Sequence, residues 1–215
     1  MAKKEENKND LMNKIVSLCK RRGFIYPGSE IYGGLAGTFD YGPLGTLLKN
    51  NIRDSWINYF VKSRDNMYLI DTPILMHPRV WEASGHVENF VDPIVECDKC
   101  KKRFREDQIE DKEKCADCGG KLSSARNFNL MLETKVGASD ETAIKTFLRP
   151  EEAQSMFINF KNIMDSFSPK IPFGIAQMGK AFRNEITPRD FVYRMREFEI
   201  MEFEYFIHPD MPWEA

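Results

Sequence analysis

The sequence predicts an α+β fold: an antiparallel hairpin at its chemical centre, amphipathic helices around it, and a small metal-stapled insertion. Three observations predict it. Between Gly174 and Phe206, two runs of aromatic and branched residues flank the connection ITPRD, the pattern of paired strands joined by a loop. After Pro43, the residues Leu44, Leu47, Leu48, Ile52, Trp56, Ile57, Phe60 and Val61 recur at three- and four-residue spacing, as in a long amphipathic helix. Cys97, Cys100, Cys115 and Cys118 form two CxxC pairs separated by 14 residues.

Composition bounds the possibilities. A chain of 215 residues holds one substantial core with an inserted subdomain. A net charge of −2 gives no global attraction to nucleic acid, so any RNA contact must be a local patch. No apolar run approaches a membrane span, and the N-terminal MAKKEENKND lacks an apolar signal core, so the reading is a cytoplasmic protein with no membrane association. Five cysteines fit that compartment when reduced or metal-bound.

Along the chain, Leu11, Ile15, Val16, Leu18 and Cys19 predict a first core helix that stops at Gly23, with Cys19 as a buried thiol. The glycine-rich stretch Ile31 to Gly45 matches neither GxGxxG nor GxxxxGK[ST] and reads as tight turns. Met67 to Leu75 reads as a strand, and its Pro73 argues for an edge position. His77, His86 and His208 have no metal spacing or neighbouring nucleophile and read as structural. Arg126 to Gly137 alternates as a strand rejoining the main sheet, and a helix opens at Pro150 and runs through Phe157, Ile158, Phe160 and Ile163.

The two CxxC pairs have the chemistry of a structural zinc site. Each knuckle presents two thiolates, and four sulfurs close a tetrahedral shell with no position left for substrate. Such an ion staples a loop too small to hold a core of its own. The division expected is therefore a core of residues 1–90 and 127–215 with a zinc-knuckle insertion at 91–126. Lys101, Lys102, Arg103 and Arg105 between the knuckles form a basic run, either a solvated face or a patch for RNA.

On the hairpin the period of two sorts side chains by face. Arg194, Arg196, Phe198, Ile200, Glu202 and Glu204 fall on one side, and Tyr193, Met195, Met201, Phe203 and Tyr205 on the other. Guanidinium groups for phosphate, a ring for a base and carboxylates for an amine suit a nucleotide plus a cationic group. FRNE at Phe182 to Glu185, a loop, then Arg194 with Phe198 four positions on resembles motif 2 of the class II aminoacyl-tRNA synthetases. The longer string FRNEITPRDFVYRMREFEIMEFEYF resembles the dimeric type of glycyl-tRNA synthetase. GGLAG and DYGPLG, the helix–strand pair ending at Pro73, SGHVENF, and LRPEEAQS beside the family's RPETAQG extend the resemblance from Ile31 to Phe206.

That resemblance implies a class II synthetase catalytic core on an antiparallel sheet flanked by helices. It further implies that glycine and ATP form glycyl-adenylate with Mg²⁺, and that glycyl then passes to the 3′ end of tRNA(Gly). Arg183 and Arg196 are implied as catalytic. Arg183, Asn184, Glu185, Tyr193, Arg194, Met195, Arg196, Glu197 and Phe198 would bind ATP, with Phe198 stacking on adenine and Glu185 reading its amino group. Glu151, Phe198, Glu199, Ile200, Met201, Glu202 and Arg105 would line the glycine site, Glu151 and Glu202 taking the ammonium group. Glu152 and Ser155 depart from the family's Thr and Gly, and Glu106 departs from the alanine of an RxRAD pattern that follows Arg105. The helix and strand around Pro73 imply a homodimer interface. No GxGxxR of motif 3 occurs, so the chain is expected to be part of a longer synthetase, with Arg189 the first candidate to replace the missing arginine. The alternatives are a catalytically silent RNA-binding or regulatory module and a zinc-ribbon interaction protein.

Overall fold

The computed structural model describes residues 2–186, 188 and 191–212, with backbone alone over 2–9. Arg189 and Asp190 of the hairpin connection lie outside the described residues. The N-terminal helix α1 (Ala2–Arg21) is followed by a small antiparallel pair, β1 (Ile25–Pro27) and β2 (Phe39–Tyr41). Helix α2 (Pro43–Ile57) starts with proline at its first turn and continues into a wider turn over Asn58–Lys62. The strand β3 (Met67–Ile70) and the short helices α3 (Pro78–Ala83) and α4 (His86–Asn89) come next. Strands β4 (Val91–Glu96), β5 (Arg103–Arg105) and β6 (Arg126–Asn129) make the sheet of the insertion, and β7 (Leu132–Val136) and β8 (Ile144–Leu148) a separate hairpin. Helix α5 (Ala153–Phe167) leads into the long strands β9 (Phe173–Phe182) and β10 (Glu197–Phe206).

The central sheet has the order β10-β9-β3. β9 and β10 pair antiparallel without interruption from Glu197↔Phe182 to Phe206↔Phe173. β3 lies at the edge, with Pro73 outside it, and runs parallel to β9 from Met67↔Gly174 to Ile70↔Gln177. The sheet is thus mixed, because α3 to α5 and the insertion intervene between the two strands and allow a crossover. Both faces are covered. On one, Met156 and Ile163 of α5 pack with Phe173, Ile175, Phe160, Tyr68, Ile70 and Phe206. On the other, Val61, Trp56 and Ile57 pack with Met67 and Ala176, and Phe203 lies 5.6 Å from the Phe60 ring. Full burial of Phe173 and Ile175 contributes about 1.5–3 kcal/mol each.

Several sequence expectations are corrected. Strand Met67 to Leu75 ends at Ile70, and Leu75 makes only an isolated bridge to Leu148. Arg126 to Gly137 is two strands, with β6 in the insertion's sheet and β7 paired to β8; neither joins the central sheet. The expected helix start at Pro150 moves to Ala153, because Arg149 to Glu152 cross the sheet as non-helical chain. Leu11, Ile15 and Leu18 of α1 are exposed, so that helix is not a core element. The glycine-rich stretch does serve close packing: Gly45 abuts Phe24, whose carbonyl oxygen would lie 1.9 Å from any added Cβ.

Candidate active site

Along the α5 face of the hairpin the chemistry is segregated by position. Phe173, Ile175 and Phe206 make the apolar end under α5, and beyond them come Gln177, Gly179, Glu202, Ile200 and Phe198. Strand alternation sends Glu199 and Met201 to the opposite face. There Glu199 meets Lys49 at 2.5 Å, and Met201 lies beside Leu48 and Ile52 of α2. Those two residues are therefore not brought to the side that holds Phe198 and Glu202. Glu197 pairs with Lys180 near the solvent.

Phe182 closes β9 and Arg183 to Glu185 lie just past it, while Tyr193 to Arg196 precede β10, so the alternation expected over 193–196 does not apply to them. A single helical turn over Phe191–Tyr193 replaces extended chain, leaving Tyr193 88% exposed and Met195 half-buried. The Arg183 guanidinium lies 5.3 Å from the Phe198 ring centre and 5.5 Å from that of Phe90, with Nε donating to the Pro150 carbonyl at 3.2 Å. A cation over these rings is held in place, and its terminal nitrogens make no hydrogen bond among the described residues. Asn184 donates its peptide N–H to the Leu130 carbonyl. Glu185 is buried, 3.8 Å from Arg194 Nε. Arg196 directs Nε to the Glu185 carbonyl at 3.1 Å and Nη1 to the Ala36 carbonyl at 2.7 Å, tying the hairpin to the glycine-rich turn. The structure gives Arg196 a clamping position on main-chain carbonyls.

The RPE segment brings acid to the same face. Glu151 Oε1 accepts from Gln154 Nε2 at 2.8 Å and lies 3.2 Å from His86 Nε2, whose Nδ1 is 2.8 Å from Ser84 Oγ. His86 is therefore a partner of a candidate binding residue rather than only a structural histidine. Glu202 Oε2 accepts the Glu152 peptide N–H at 3.0 Å. Burial, with the charges of Glu202 and Glu151, raises the Glu204 carboxyl above its ordinary range. Mutually repelling carboxylates gathered at one spot suit a cationic ligand.

The sequence did not single out Arg149 or Gln177, and Glu152 stood out only as a departure from the family's Thr. All are buried, with Arg149 Nη2 2.9 Å from Glu152 Oε1. Burial, then the charge of Glu202, raises Glu152 to about 7 against the opposing pull of Arg149. Gln177 was legible in principle, as a polar residue at the position that alternation assigns to the buried face after Phe173 and Ile175.

In the insertion, the four cysteine sulfurs lie within 4.8 Å of one another, with Cys97–Cys118 at 3.5 Å and Cys100–Cys115 at 3.7 Å. Tetrahedral zinc with bonds of about 2.3 Å holds sulfurs about 3.8 Å apart, so the donor set and its spacing fit that ion. The Cys100 peptide N–H favours the Cys97 thiolate and lowers it to about 6. Cys19 is not part of the cluster. One residue past the lobe's buried Phe104, Arg105 bonds Asp92 at 2.8 Å and Asp107 at 2.9 Å. Asp107 and Asp92, with Glu185 further off, raise its affinity for its proton. Arg105 is thus carried beside the motif-2-like segment, but its charge is already paired by two aspartates.

No protein-family model matches the chain. Among curated proteins it is 55% identical over 202 residues to the glycine–tRNA ligase of Treponema denticola, covering 92% of this chain and 45% of that protein. It is 47% identical over 232 residues to the glycine–tRNA ligase of Alkaliphilus oremlandii, covering 94% and 50%. The chain thus spans about half the length of the curated relatives it matches. Among solved structures, the RNA binding domain of threonyl-tRNA synthetase from Cryptosporidium parvum aligns with a TM-score of 0.55 at 17% identity, over 87% of this chain and 35% of that one, a likeness of fold. Over more than nine-tenths of its length the chain is thus similar to the glycine–tRNA ligases, and its α+β fold is like that of class II aminoacyl-tRNA synthetase domains.

Proposed function

We propose that this chain forms glycine- and ATP-binding parts of a glycine–tRNA ligase, which activates glycine as its adenylate and passes it to tRNA(Gly). The observation that carries the reading is the meeting, on one face of β9–β10, of Arg183 over Phe198 with the carboxylates Glu202 and Glu151. In this reading adenine stacks on Phe198 with Glu185 at its amino group, and Arg183 neutralises the α-phosphate. Glu202 and Glu151 hold the glycine ammonium group so that its carboxylate approaches phosphorus in line. The glycine carboxylate is already an anionic nucleophile, so the protein supplies alignment and charge stabilisation without a covalent enzyme intermediate. Mg²⁺ bound with ATP supplies further neutralisation of phosphate charge.

Arg194 lies 3.8 Å from Glu185, at the adenine end of the site in this reading. Arg196 supports the site from behind, and Arg105 contributes through its paired aspartates. Zinc on Cys97, Cys100, Cys115 and Cys118 is structural, and residues 91–126 act as the insertion. Leu44, Leu47, Leu48 and Ile52 of α2 expose an apolar stripe, which supports a homodimer through this helix and β3. No described helix is long and apolar enough to cross a membrane; the proposed work in translation places the protein in the cytoplasm.

The test is glycine-dependent ATP–pyrophosphate exchange by the full-length protein, with alanine and serine as controls. Exchange supported by glycine and not by the controls is the expected result. Exchange indifferent to glycine would remove the reading.

A further inference from the structure

Under the proposed glycine pocket lies a buried ionic network that the motif resemblance does not explain. Arg149 and Glu152 have side chains 3% and 0% exposed. Arg149 Nε donates to the Lys180 carbonyl on β9 at 2.7 Å, and Nη1 donates to the Thr72 carbonyl beyond β3 at 3.0 Å. One guanidinium therefore ties the RPE segment to β9 and to the chain that follows β3. Its Nη2 faces Glu152 Oε1 at 2.9 Å, yet among the described residues neither Glu152 carboxylate oxygen has a hydrogen-bond partner with good geometry, and Gln177 Nε2 is also without one. Gly179 makes room for the pair: a Cβ there would lie 2.2 Å from Arg149 Nη2 and 2.6 Å from Glu152 Oε1.

We propose that Arg149 and Glu152 are a positioning pair for amine recognition: Arg149 fixes the pocket floor, while Glu152 orients Glu202 through its peptide N–H and adds a buried negative charge that favours a cationic amine. The inference rests on the glycine-ligase reading and deepens it. Buried ionised groups without full hydrogen bonding are costly, and a carboxyl perturbed by burial and specific charge partners beside a cleft marks a candidate functional position. The groups facing Glu152 are Arg149 on its own segment, Glu202 from β10, Asp71 beyond β3, and the neutral Gln177 from β9. Glu151 and Glu204 extend the same negative cluster.

The sign follows from the direction of the shift. Burial and neighbouring carboxylates raise Glu152 to about 7, so the charged form dominates above that pH and is lost as pH falls through it. A bound ammonium group favours the charged form, so by linkage amine affinity is highest above pH about 7 and weakens below it. Neutralising Glu152 also leaves the Arg149 cation uncompensated beside the amine.

The test measures KM for glycine and for ATP separately in the full-length protein, across the pH interval around Glu152's titration. The parent should show glycine KM rising about tenfold as pH falls, with ATP KM nearly constant, the factor corresponding to a one-unit coupling between amine and carboxyl. In Glu152→Gln, glycine KM should be raised throughout and nearly flat with pH. Glu152→Thr carries the residue of the family pattern and gives the same readout should the glutamine variant fail to fold. A folded variant that keeps the parent's glycine profile overturns the pair's role, as does a parent whose glycine KM is flat with pH. A parent that activates no glycine at any pH overturns this inference together with the reading beneath it.

Discussion

In the cysteine-bearing lobe the buried cluster around the knuckles is Val95, Cys97, Phe104, Cys115 and Leu122, so two of its five residues are candidate metal ligands. In the central sheet the corresponding set, Met156, Ile163, Phe173 and Ile175, is apolar throughout, with Phe160, Tyr68 and Phe206 packed around it. The lobe's strands are short, whereas β9 and β10 pair along their full ten residues. A lobe this small cannot bury enough surface to offset the entropy of ordering its chain, so cross-linking by an ion substitutes for a core. The sheet needs no such staple, since helices cover it on both faces. The difference teaches where each kind of perturbation should be felt: metal loss in the lobe, cavity formation in the sheet, charge loss on the binding face.

The largest effect should come from the metal. Cys115→Ser with Cys118→Ser, or a strong chelator, removes a contribution on the order of 10 kcal/mol to the order of the lobe. Amide exchange over 91–126 should become fast while β9 and β10 stay protected; equal loss of protection in both regions would erase the contrast. Because the ligating sulfurs must be thiolates, lowering pH should release the metal and loosen the lobe before the sheet.

Next comes Phe173→Ala. Its ring is fully buried and 5.5 Å from Phe160 and 5.4 Å from Phe206, so a cavity there should cost about 3–5 kcal/mol of global stability. Denaturant unfolding should show that loss with metal content unchanged. A drop in bound zinc would mean that the two regions are more tightly coupled than their separate cores suggest.

Smaller changes are expected on the binding face. Glu202→Gln keeps an acceptor for the Glu152 peptide N–H but removes the charge, and glycine affinity should fall by about 1.5–3 kcal/mol with ATP affinity nearly unchanged. Phe198→Ala should do the reverse, weakening ATP by about 0.5–1.5 kcal/mol through lost stacking. Calorimetric titration with each ligand distinguishes them, and matching losses for both ligands in both variants would defeat the separation of roles. The smallest effect belongs to Lys180→Ala: its partner Glu197 is 41% exposed, so stability should change by less than about 1 kcal/mol. A larger change in thermal unfolding would show that this edge of the hairpin is structural after all.

What the sequence by itself determined were the features with local causes. Paired CxxC knuckles carry their own geometry, period-two patterning set which residues of β10 share a face once the strand begins, and Pro43 and the α2 spacing announced a helix. Only the tertiary structure decided the rest. The parallel pairing of β3 depends on a crossover through distant segments, and the true ends of β9 and β10 depend on where Arg183 and Arg196 find carbonyl partners. Glu199 and Met201 were separated from Glu202 by alternation that only the positions of α2 and α5 turn into an assignment of faces. His86 meets Glu151 and Arg149 meets Lys180 and Thr72 across long stretches of chain. Such contacts arise when separate apolar surfaces are buried together, and the polar groups carried with them must then find partners in the surroundings that burial provides.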